Sequence, residues 1–382
     1  MRVRNQSHAG VVQRGGDYMR QKQILLFCPY PEDVAPSQRL KYEQYLDFLR
    51  ANGYRIKVLP FFTRYTYSIL YRKGYTLRKA LGVLLGLGRR LLQAFTIPFS
   101  DGIYVHLNVV PVGPAWLERL YVFLARAVIY DIDDMVHLLP TSSVNKLASC
   151  FKSSERFFVL MRGASHVITC TPVLDELAQR YNSRTTDISS TINTLTYLPC
   201  NPYSNENQVV IGWSGSYSTA PYLHLLDDVL RQLARQHRFI LLVMGAPADF
   251  SIPGVTTEVV SWSEVEEVST LQRMDIGLYP LPNDEWVKGK SGLKALQYMA
   301  LGLPVVASAV GCNDRVIENG VSGLLVTSQD EWLDSLSSLI LNPQLRCKLG
   351  TAARARVESL YSVDVNKRTY LSLFHQVFGH PQ

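Results

Sequence analysis

The sequence has 382 residues, of which 47% are apolar, and a mean hydropathy of +0.01. This is the composition of a globular protein, and the length exceeds what one hydrophobic core usually holds, so we expect two domains. No apolar run reaches the roughly 18 residues of a membrane-spanning helix. The net charge of +7 arises in residues 1–200, which hold 25 Lys and Arg against 14 Asp and Glu.

The first twenty residues are polar, contain Gly15-Gly16 and lack the apolar core of a signal peptide. We expect residues 1–20 to be a disordered tail, or sequence upstream of a start at Met19. The six cysteines are scattered, without a Cys-x-x-Cys pair or a Cys/His cluster. That pattern argues against a metal site and indicates a reducing compartment, with the cysteines as small core residues.

The chain then opens as a doubly wound α/β sheet. Residues 23–28 form an apolar run, Arg39 begins a helix, and residues 55–60 read as a second strand. The first loop of such a sheet faces the ligand crevice. Here Pro29, Pro31 and Pro36 replace the glycine-rich phosphate fingerprint, which argues against a dinucleotide cofactor.

Residues 61–100 are basic and amphipathic and contain no acidic residue. Tyrosines and leucines alternate with cations, a pattern that suits an anionic membrane surface. Nucleic acid would accept the same patch, but the chain has no recognisable nucleic-acid module; a plain solvated helix face is the remaining alternative. The cations that we expect to face the membrane are Arg72, Lys73, Arg78, Lys79, Arg89 and Arg90.

Two further strands carry candidate ligand-side residues at their carboxyl ends. Residues 102–107 form one strand with His106 near its end, and residues 127–134 form a buried strand that runs into Asp131, Asp133 and Asp134. Carboxylates at this edge of a parallel sheet lie where α/β proteins bind ligands. Alternatively, Asp133 or Asp134 caps the following helix.

A polar, turn-rich segment at 200–208 is the best linker and predicts domains at 21–203 and 204–364. A second αβ pattern begins at Val209 and has a loop with Gly212, Gly215 and Ser216. Free backbone N–H groups beside a helix start form a phosphate site. A simple glycine turn is the alternative.

The stretch from Trp286 to Ser308 reads as loop, helix, tight turn and buried strand. Lys290, Lys294 and Gln297 form a polar stripe on the helix. Two lysines near a helix start oppose the helix dipole, an arrangement that suits a bound anion. The alternative is that the two lysines form an ordinary solvent-exposed face of the helix.

Together with its flanks, Asp275-Ile-Gly-Leu-Tyr-Pro-Leu-Pro282 and residues 310–326, this stretch closely resembles the retaining family-4 glycosyltransferases, in the bacterial branch written W-x-x-G-K-x-x-x-K-x-x-Q-Y-M-A-x-G. The resemblance implies the α/β GT-B fold: two Rossmann-like doubly wound domains facing each other across a cleft. It also implies that the last helix, at 365–382, crosses back to the first domain. The Asp131-x-Asp133 match to the metal-binding signature of another glycosyltransferase fold is discounted on this basis.

The resemblance also implies roles for individual residues. Lys290 binds the leaving diphosphate, and Asp133 falls roughly where many relatives carry a histidine that meets the acceptor hydroxyl. Two glutamates of the family appear here as Gly289 and Gln297, so Gln297 would bind a ribose hydroxyl and Asp284 or Glu285 would replace the lost sugar-side carboxylate. The candidate donor-binding set is Gly215, Ser216, Lys290, Ser291, Gly292, Lys294, Gln297, Asp284 and Glu285. The candidate acceptor-side set is Arg39, Asp131, Asp134 and His106.

The function that this resemblance implies is transfer, with retention, of a hexose or hexosamine from a nucleotide-diphosphate sugar to a hydroxyl of a glycan or lipid-linked acceptor. We expect the reaction to need no cofactor and no metal, and to serve cell-surface polysaccharide synthesis. The partners expected are the donor, a glycan or polyprenyl-linked acceptor and an anionic membrane, but no nucleic acid. The location would be cytoplasmic, on the inner face of the cell membrane. Because the two glutamates are missing, a non-catalytic GT-B partner protein that binds a nucleotide or glycan is the alternative.

Overall fold

A computed structural model describes residues 21–70, 72, 74–135, 138, 154–199 and 208–381. Several of the predictions above lie outside these residues: the tail at 1–20, all but the last residue of the linker at 200–208 with the boundary between 203 and 204, Lys73, and the placement of Cys150 and Cys200 in the core. We call residues 21–199 together with the last helix the front lobe, and residues 208–361 the rear lobe.

Each lobe contains one six-stranded parallel sheet, as the alternating pattern of strands and helices predicts. The front sheet has the order β2-β1-β3-β4-β5-β6, with β1 Lys22–Cys28, β2 Tyr54–Pro60, β3 Gly102–His106, β4 Val128–Asp131, β5 His166–Thr169 and β6 Thr185–Asp187. The rear sheet has the order β12-β11-β10-β7-β8-β9, with β7 Val209–Ser214, β8 Phe239–Met244, β9 Thr257–Val260, β10 Ile276–Tyr279, β11 Val305–Ser308 and β12 Leu324–Val326. Helices cover both faces of both sheets, which explains why the central strands read as continuous apolar runs.

The strand order fixes where each lobe can hold a ligand. In a doubly wound sheet the crevice opens where the order reverses, beyond the carboxyl ends of the strands. In the rear lobe the reversal lies between β7 and β10, so the segments that follow Ser214 and Tyr279 flank the crevice. In the front lobe it lies between β1 and β3, so the segments that follow Cys28 and His106 flank it.

Fourteen α-helices occur in the described residues. In the front lobe they are α1 Pro36–Arg39, α2 Leu46–Ala51, α3 Arg64–Leu70, α4 Thr76–Ala94, α5 Trp116–Leu124, α6 Glu155–Gly163 and α7 Pro172–Gln179. In the rear lobe they are α8 Asp227–Gln236, α9 Glu267–Leu271, α10 Leu293–Ala300, α11 Asn313–Val316, α12 Gln329–Leu341 and α13 Pro343–Arg356, and α14 is Val363–Phe378. Short 3-10 helices lie at Glu43–Tyr45, Ile97–Phe99, Ala220–Leu226 and Val287–Gly289, and a π-helical turn lies at Val357–Tyr361. None of the helices described is both long and apolar enough to cross a bilayer.

Helix α14 follows the rear lobe in sequence but packs on the front sheet. The Ser362 side chain accepts the Val365 N–H and caps its start. Tyr370 stacks on Tyr45 with ring centroids 4.2 Å apart, and Phe374 meets Tyr54 edge-on at 5.2 Å. The helix thus completes the apolar layer on one face of the front sheet.

Helix α4 buries an unexpected face. Its buried residues are spaced four apart and, apart from one, are small: Gly82, Gly86, Arg90 and Ala94. A Cβ on Gly82 would lie 2.5 Å from the Thr66 side chain, and one on Gly86 would lie 2.6 Å from the Phe61 ring. The helix therefore packs closely through its small residues, and all of its leucines except the half-buried Leu87 are exposed.

Of the cysteines in the described residues, Cys28, Cys170 and Cys312 are buried as expected, whereas Cys347 is exposed. The expectation that all six are core residues is therefore wrong for Cys347. It lies on α13, a helix whose buried residues are Arg346, Leu349, Gly350 and Ala353.

Candidate functional site

Lys290 lies between the two lobes. The chain reaches it through the 3-10 turn Val287–Gly289, and Gly292 then adopts a left-handed conformation with φ 72° before α10 begins. The Lys290 Nζ is 3.6 Å from the centroid of the Trp286 ring. Burial lowers the pKa of Lys290, while the carboxylates of Asp134, Asp133 and Asp284 act in the opposite direction. The ammonium thus lies within electrostatic range of two front-lobe carboxylates.

Trp286 lies with its ring directly against the Lys290 ammonium. Its ring packs against the apolar cores of both lobes. Its indole Nε1 is buried and has no hydrogen-bond partner among the described residues. A cation and an unused N–H donor therefore stand at the same place in the cleft, and both favour a ligand with oxygen acceptors.

Asp133 and Asp134 follow β4 and are half-buried. Burial raises the pKa of Asp133, against the charges of His106 and Lys41. Burial also raises the pKa of Asp134 to about 6, against the charge of Lys290. The Asp134 Oδ1 accepts the N–H of Met135 at 2.8 Å, so part of its acceptor capacity is used locally.

The other two residues of the acceptor-side set at this edge are fully buried. Asp131 pairs with Lys41 (Nζ to Oδ1 2.6 Å) and accepts a hydrogen bond from Tyr104. Burial acts to raise the pKa of Asp131, but Lys41 and His106 outweigh it and hold the pKa at about 2. His106 is 0% exposed and packs on the Tyr42 ring, with centroids 5.1 Å apart. The expectation that Asp131 and His106 face the acceptor is therefore wrong in this structure.

Lys41 is a contributor to this site that the sequence analysis did not identify. It is 2% exposed and also donates to the Ile132 carbonyl at 2.9 Å. It thereby fixes the backbone just before Asp133 and Asp134. It stands two residues past Arg39 in a stretch of mixed polar and apolar residues, and no spacing there indicates this contact.

Arg39 also makes a contact that the sequence did not predict. Its guanidinium forms an ion pair with Glu267 of the rear lobe and lies 5.7 Å from the centroid of the Trp262 ring. Arg39 thus links the front lobe to the rear lobe. The sequence instead predicts a residue on the acceptor side. The membership of Arg39 in the acceptor-side set stays a prediction, with its charge paired to Glu267 in this structure.

Glu267 is the centre of a buried network that the sequence did not reveal. It accepts from Tyr197 OH at 3.0 Å, from Trp262 Nε1 at 3.1 Å and from Gln297 Nε2 at 3.0 Å. Burial acts to raise the pKa of Glu267, but Lys294 and Arg39 outweigh it and hold the pKa at about 2. In the sequence it stands among Glu264 and Glu266, and nothing local distinguishes it.

Gln297 and Lys294 belong to the same network. Gln297 is fully buried, donates to Tyr197 OH at 2.7 Å and accepts from Lys294 Nζ at 2.9 Å. Lys294 also lies 4.0 Å from Glu267. The expectation that Gln297 binds a ribose hydroxyl is therefore wrong in this structure, because its amide is fully buried and donates to Tyr197 of the front lobe and Glu267 of the rear lobe.

The loop after β7 has the predicted shape but uses different N–H groups. Gly215 N–H donates to the Met244 carbonyl at 3.0 Å, and Ser216 N–H donates to Thr219 Oγ1 at 2.9 Å. Both groups predicted to bind phosphate are therefore already bonded. The next two amides, of Tyr217 and Ser218, have no partner among the described residues and are the free donors of this loop.

The loop before α10 contacts the front lobe directly. A Cβ on Gly289 would lie 2.6 Å from Met135 Cγ, so the glutamate that relatives carry there has no room. Ser291 Oγ lies 2.7 Å from Ser190 Oγ, and Arg315 pairs with Asp187. Ser291 is therefore another contact between the lobes, and Gly292, with its positive φ, forms the turn before α10.

The two carboxylates expected to replace that glutamate are engaged nearby. Asp284 accepts the Val287 N–H at 2.8 Å and so caps the 3-10 turn. Glu285 pairs with Lys288 three residues on, at an exposed position. Asp284 nevertheless lies within electrostatic range of Lys290, so its role as the replacement stays a prediction.

The basic stretch is largely exposed, with one exception. Arg72 and Arg78 are exposed, and Lys79 and Arg89 are half-buried. Arg90 is 1% exposed: its Nε donates to the Val109 carbonyl at 2.8 Å, and burial lowers its pKa to about 10. The expectation that Arg90 faces a membrane is therefore wrong. Among the residues described, no group of three His, Cys, Asp or Glu side chains is arranged to hold a metal.

Comparison with known proteins identifies the rear lobe. Residues 208–342 match the family model described as Glycosyl transferases group 1. D-inositol 3-phosphate glycosyltransferase of Saccharomonospora viridis is 29% identical over 147 residues, which are 34% of this chain and 33% of that protein. Its Corynebacterium jeikeium counterpart is 37% identical over 90 residues, or 23% and 20% of the two chains. The match thus spans a third or less of these curated relatives.

Solved structures extend the likeness to both lobes. Sucrose-phosphate synthase from Thermosynechococcus elongatus superposes with a TM-score of 0.67 at 15% identity, over 93% of this chain and 99% of that one. Anabaena HepE in complex with UDP-glucose superposes with a TM-score of 0.65 at 14% identity, over 93% and 100%. These similarities confirm the predicted GT-B fold, and the family match confirms the resemblance to group 1 glycosyltransferases.

Proposed function

Since residues 208–342 form a glycosyl transferases group 1 domain within a GT-B fold, we propose that the protein transfers a sugar from a nucleotide-diphosphate sugar to an acceptor hydroxyl. The sugar is a hexose or hexosamine, and the acceptor is a glycan or a lipid-linked glycan of cell-surface polysaccharide synthesis. The supporting observation is the Lys290 ammonium, held on the Trp286 ring in the cleft beside Asp133 and Asp134.

The chemical demand of this reaction is stabilisation of the departing diphosphate. Fixed positive charge and N–H donors in a site that excludes water supply it without reorganisation at the moment of reaction. In this chain Lys290 provides the charge, and the Trp286 Nε1 and the amides of Tyr217 and Ser218 are the unused donors. No metal is required by this scheme.

We further propose that the anomeric configuration is retained by same-face attack. The bond between the anomeric carbon and the phosphate oxygen breaks, a bond to the acceptor oxygen forms, and the acceptor proton moves to the leaving phosphate. Double displacement through Asp133 is the alternative, in which its carboxylate bonds to the sugar first. NMR of the first-formed product shows retention or inversion, and loss of all transfer in Asp133→Asn with a trapped sugar in the parent protein would favour double displacement.

The test of the function is a screen of nucleotide-diphosphate sugars for hydrolysis or transfer, starting with UDP-sugars because of the HepE complex. Transfer that is lost in Lys290→Ala supports the proposal, and a chelator should leave it unchanged. Thermal shift with UDP, GDP, ADP and CDP identifies the base, because a ligand of the folded state raises the melting temperature.

A non-catalytic partner protein is the second candidate, favoured by the Met135 contact that fills the place of one glutamate and by the committed amide of Gln297. Tight binding of a nucleotide-sugar without turnover of any donor would establish it.

We also propose that the protein works at the cytoplasmic face of the membrane. Replacing Arg72, Lys73, Arg78 and Lys79 with Gln should then weaken binding to anionic liposomes, and unchanged binding would refute this location.

A further inference from the structure

We infer that the apolar groove beside helix α4 binds the hydrocarbon chain of a lipid-linked acceptor. This inference rests on the transfer proposed above and specifies its acceptor. The groove has a volume of about 310 Å³. Its walls come from three places: Leu87 and Leu91 of α4, Val110 and Val112 of the segment after β3, and Trp116 and Leu117 at the start of α5. Among the residues described, no charged side chain lines it.

The groove has a closed base and an open rim. Val110 and Leu117 at its base are fully buried core residues. At the rim, Leu91 is 43% exposed and Trp116 is 49% exposed. Apolar surface that remains open to water is unfavourable, and a concentration of it marks a site of interaction.

The surface around the groove fits a lipid. More than half of the large apolar side chains exposed in the described residues lie between 65 and 138, among them Leu84, Leu92, Phe95 and Phe99. The two leucines are exposed because α4 buries its small residues against Phe61 and Thr66. Residues 61–100, which supply most of these side chains, contain no Asp or Glu, so every charged side chain in that stretch is basic. Leucines beside cations match the hydrocarbon and phosphate of an anionic lipid.

The position of the groove favours an acceptor over a bulk lipid. His106 at the end of β3 pairs with Asp131 at the end of β4, so the segments that follow both strands emerge at one edge of the sheet. One of these segments forms a groove wall, and the other carries Asp133 and Asp134. Val110 and Leu117 also share a continuous apolar cluster with Met135, which contacts Gly289 across the cleft. A chain in the groove can therefore place its polar end at the edge of the sheet that carries Asp133 and Asp134.

The test uses the fluorescence of Trp116 in the full-length protein, without any sugar donor. A detergent with a brominated chain should quench the emission, and Trp116→Phe identifies the share of quenching that comes from this residue. Added polyprenyl monophosphate should restore the emission by displacing the brominated chain, whereas inorganic phosphate should not. Phosphatidylglycerol should compete less well than polyprenyl phosphate.

A matched pair of variants locates the site. Leu91 lines the groove, whereas its neighbour Leu92 is 72% exposed and does not. Leu91→Gln should weaken polyprenyl phosphate binding about tenfold, because burying roughly one leucine side chain changes a dissociation constant by about that factor. Leu92→Gln should change the binding little. Equal effects of both variants, equal competition by phosphatidylglycerol, or absence of quenching would overturn the inference. Lys290→Ala should keep full quenching, so a failed transfer reaction and an empty groove are distinguished.

Discussion

The guanidinium of Arg39 in the front lobe is ion-paired with the Glu267 carboxylate, which is 0% exposed in the rear lobe. The two residues are 228 positions apart. A charge buried this deeply is tolerated because four donors surround it: Arg39, Tyr197, Trp262 and Gln297. The position of one lobe against the other is thus coupled to the side chains below helix α10.

Glu267→Gln should destabilise the protein by about 3 kcal/mol. Removing one partner of a buried ion pair leaves the other uncompensated, and Gln cannot accept from all the donors that now converge. Urea or thermal denaturation measures the change. Glu266→Gln, at an exposed neighbouring position, is the control and should have almost no effect. Equal effects of the two variants would show that Glu267 is not the centre of the network.

Lys290→Ala should lower the turnover number of sugar transfer by about 10²–10³-fold, because a fixed charge at the leaving group acts mainly in the transition state. The control is Lys288→Ala, since Lys288 pairs with Glu285 at the surface. Steady-state kinetics with the donor found in the screen compares the two. Full turnover in Lys290→Ala would contradict the role proposed for its ammonium.

Gly289→Glu restores the residue that relatives carry, and we expect it to destabilise the protein by about 1–3 kcal/mol. The added Cβ would lie 2.6 Å from Met135 Cγ and force the lobes or the Met135 side chain to move. Met135→Ala in the same chain should recover part of the loss. Gly88→Ala on α4 is the control, since a Cβ there meets nothing within 4 Å. A higher melting temperature for Gly289→Glu would contradict the contact.

The free energy of unfolding should fall as the pH drops from about 4.5 to about 2. Glu267 and Asp131 have pKa values of about 2 in the folded protein, below their ordinary values of 4.5 and 3.8. The stability that they contribute is therefore fully present above the unfolded values and is lost as pH falls through the folded ones. Denaturation at a series of pH values measures this slope, and Glu267→Gln should make it shallower.

Asp134 should show the opposite dependence on pH. Burial raises its pKa from 3.8 to about 6, so its ionisation opposes folding as pH rises from about 4 to about 6. Asp134→Asn should therefore raise the melting temperature at pH 7 more than at pH 4. Equal changes at the two pH values would show that this carboxyl ionises normally.

Local patterns predict the elements of this fold well. The apolar runs at 23–28 and 55–60 are strands β1 and β2 to within one residue, and the stretch around Lys290 forms the loop and helix expected. These features depend on the period of buried residues and on glycine turns, which neighbouring residues determine. The place of Lys290 in the cleft follows from them together with the family resemblance.

Contacts between the lobes could not be predicted in the same way. Which carboxylate meets Arg39, or which side chain fills the space above Gly289, depends on how two distant surfaces meet, and no local spacing records this. Arg90 shows a related failure within one helix. The basic stretch looks amphipathic through its leucines, but close packing through Gly82 and Gly86 turns Arg90 inward.

The position of helix α14 has a consequence for folding during synthesis on the ribosome. Phe374 and Phe378 cover Tyr54 and Gly102 of the front sheet, yet they are synthesised only after the entire rear lobe. The apolar face of the front sheet that α14 covers therefore stays exposed while about 150 further residues are translated. Nascent chains stalled before residue 363 should consequently depend on chaperones, even though most of their front-lobe strands have already emerged.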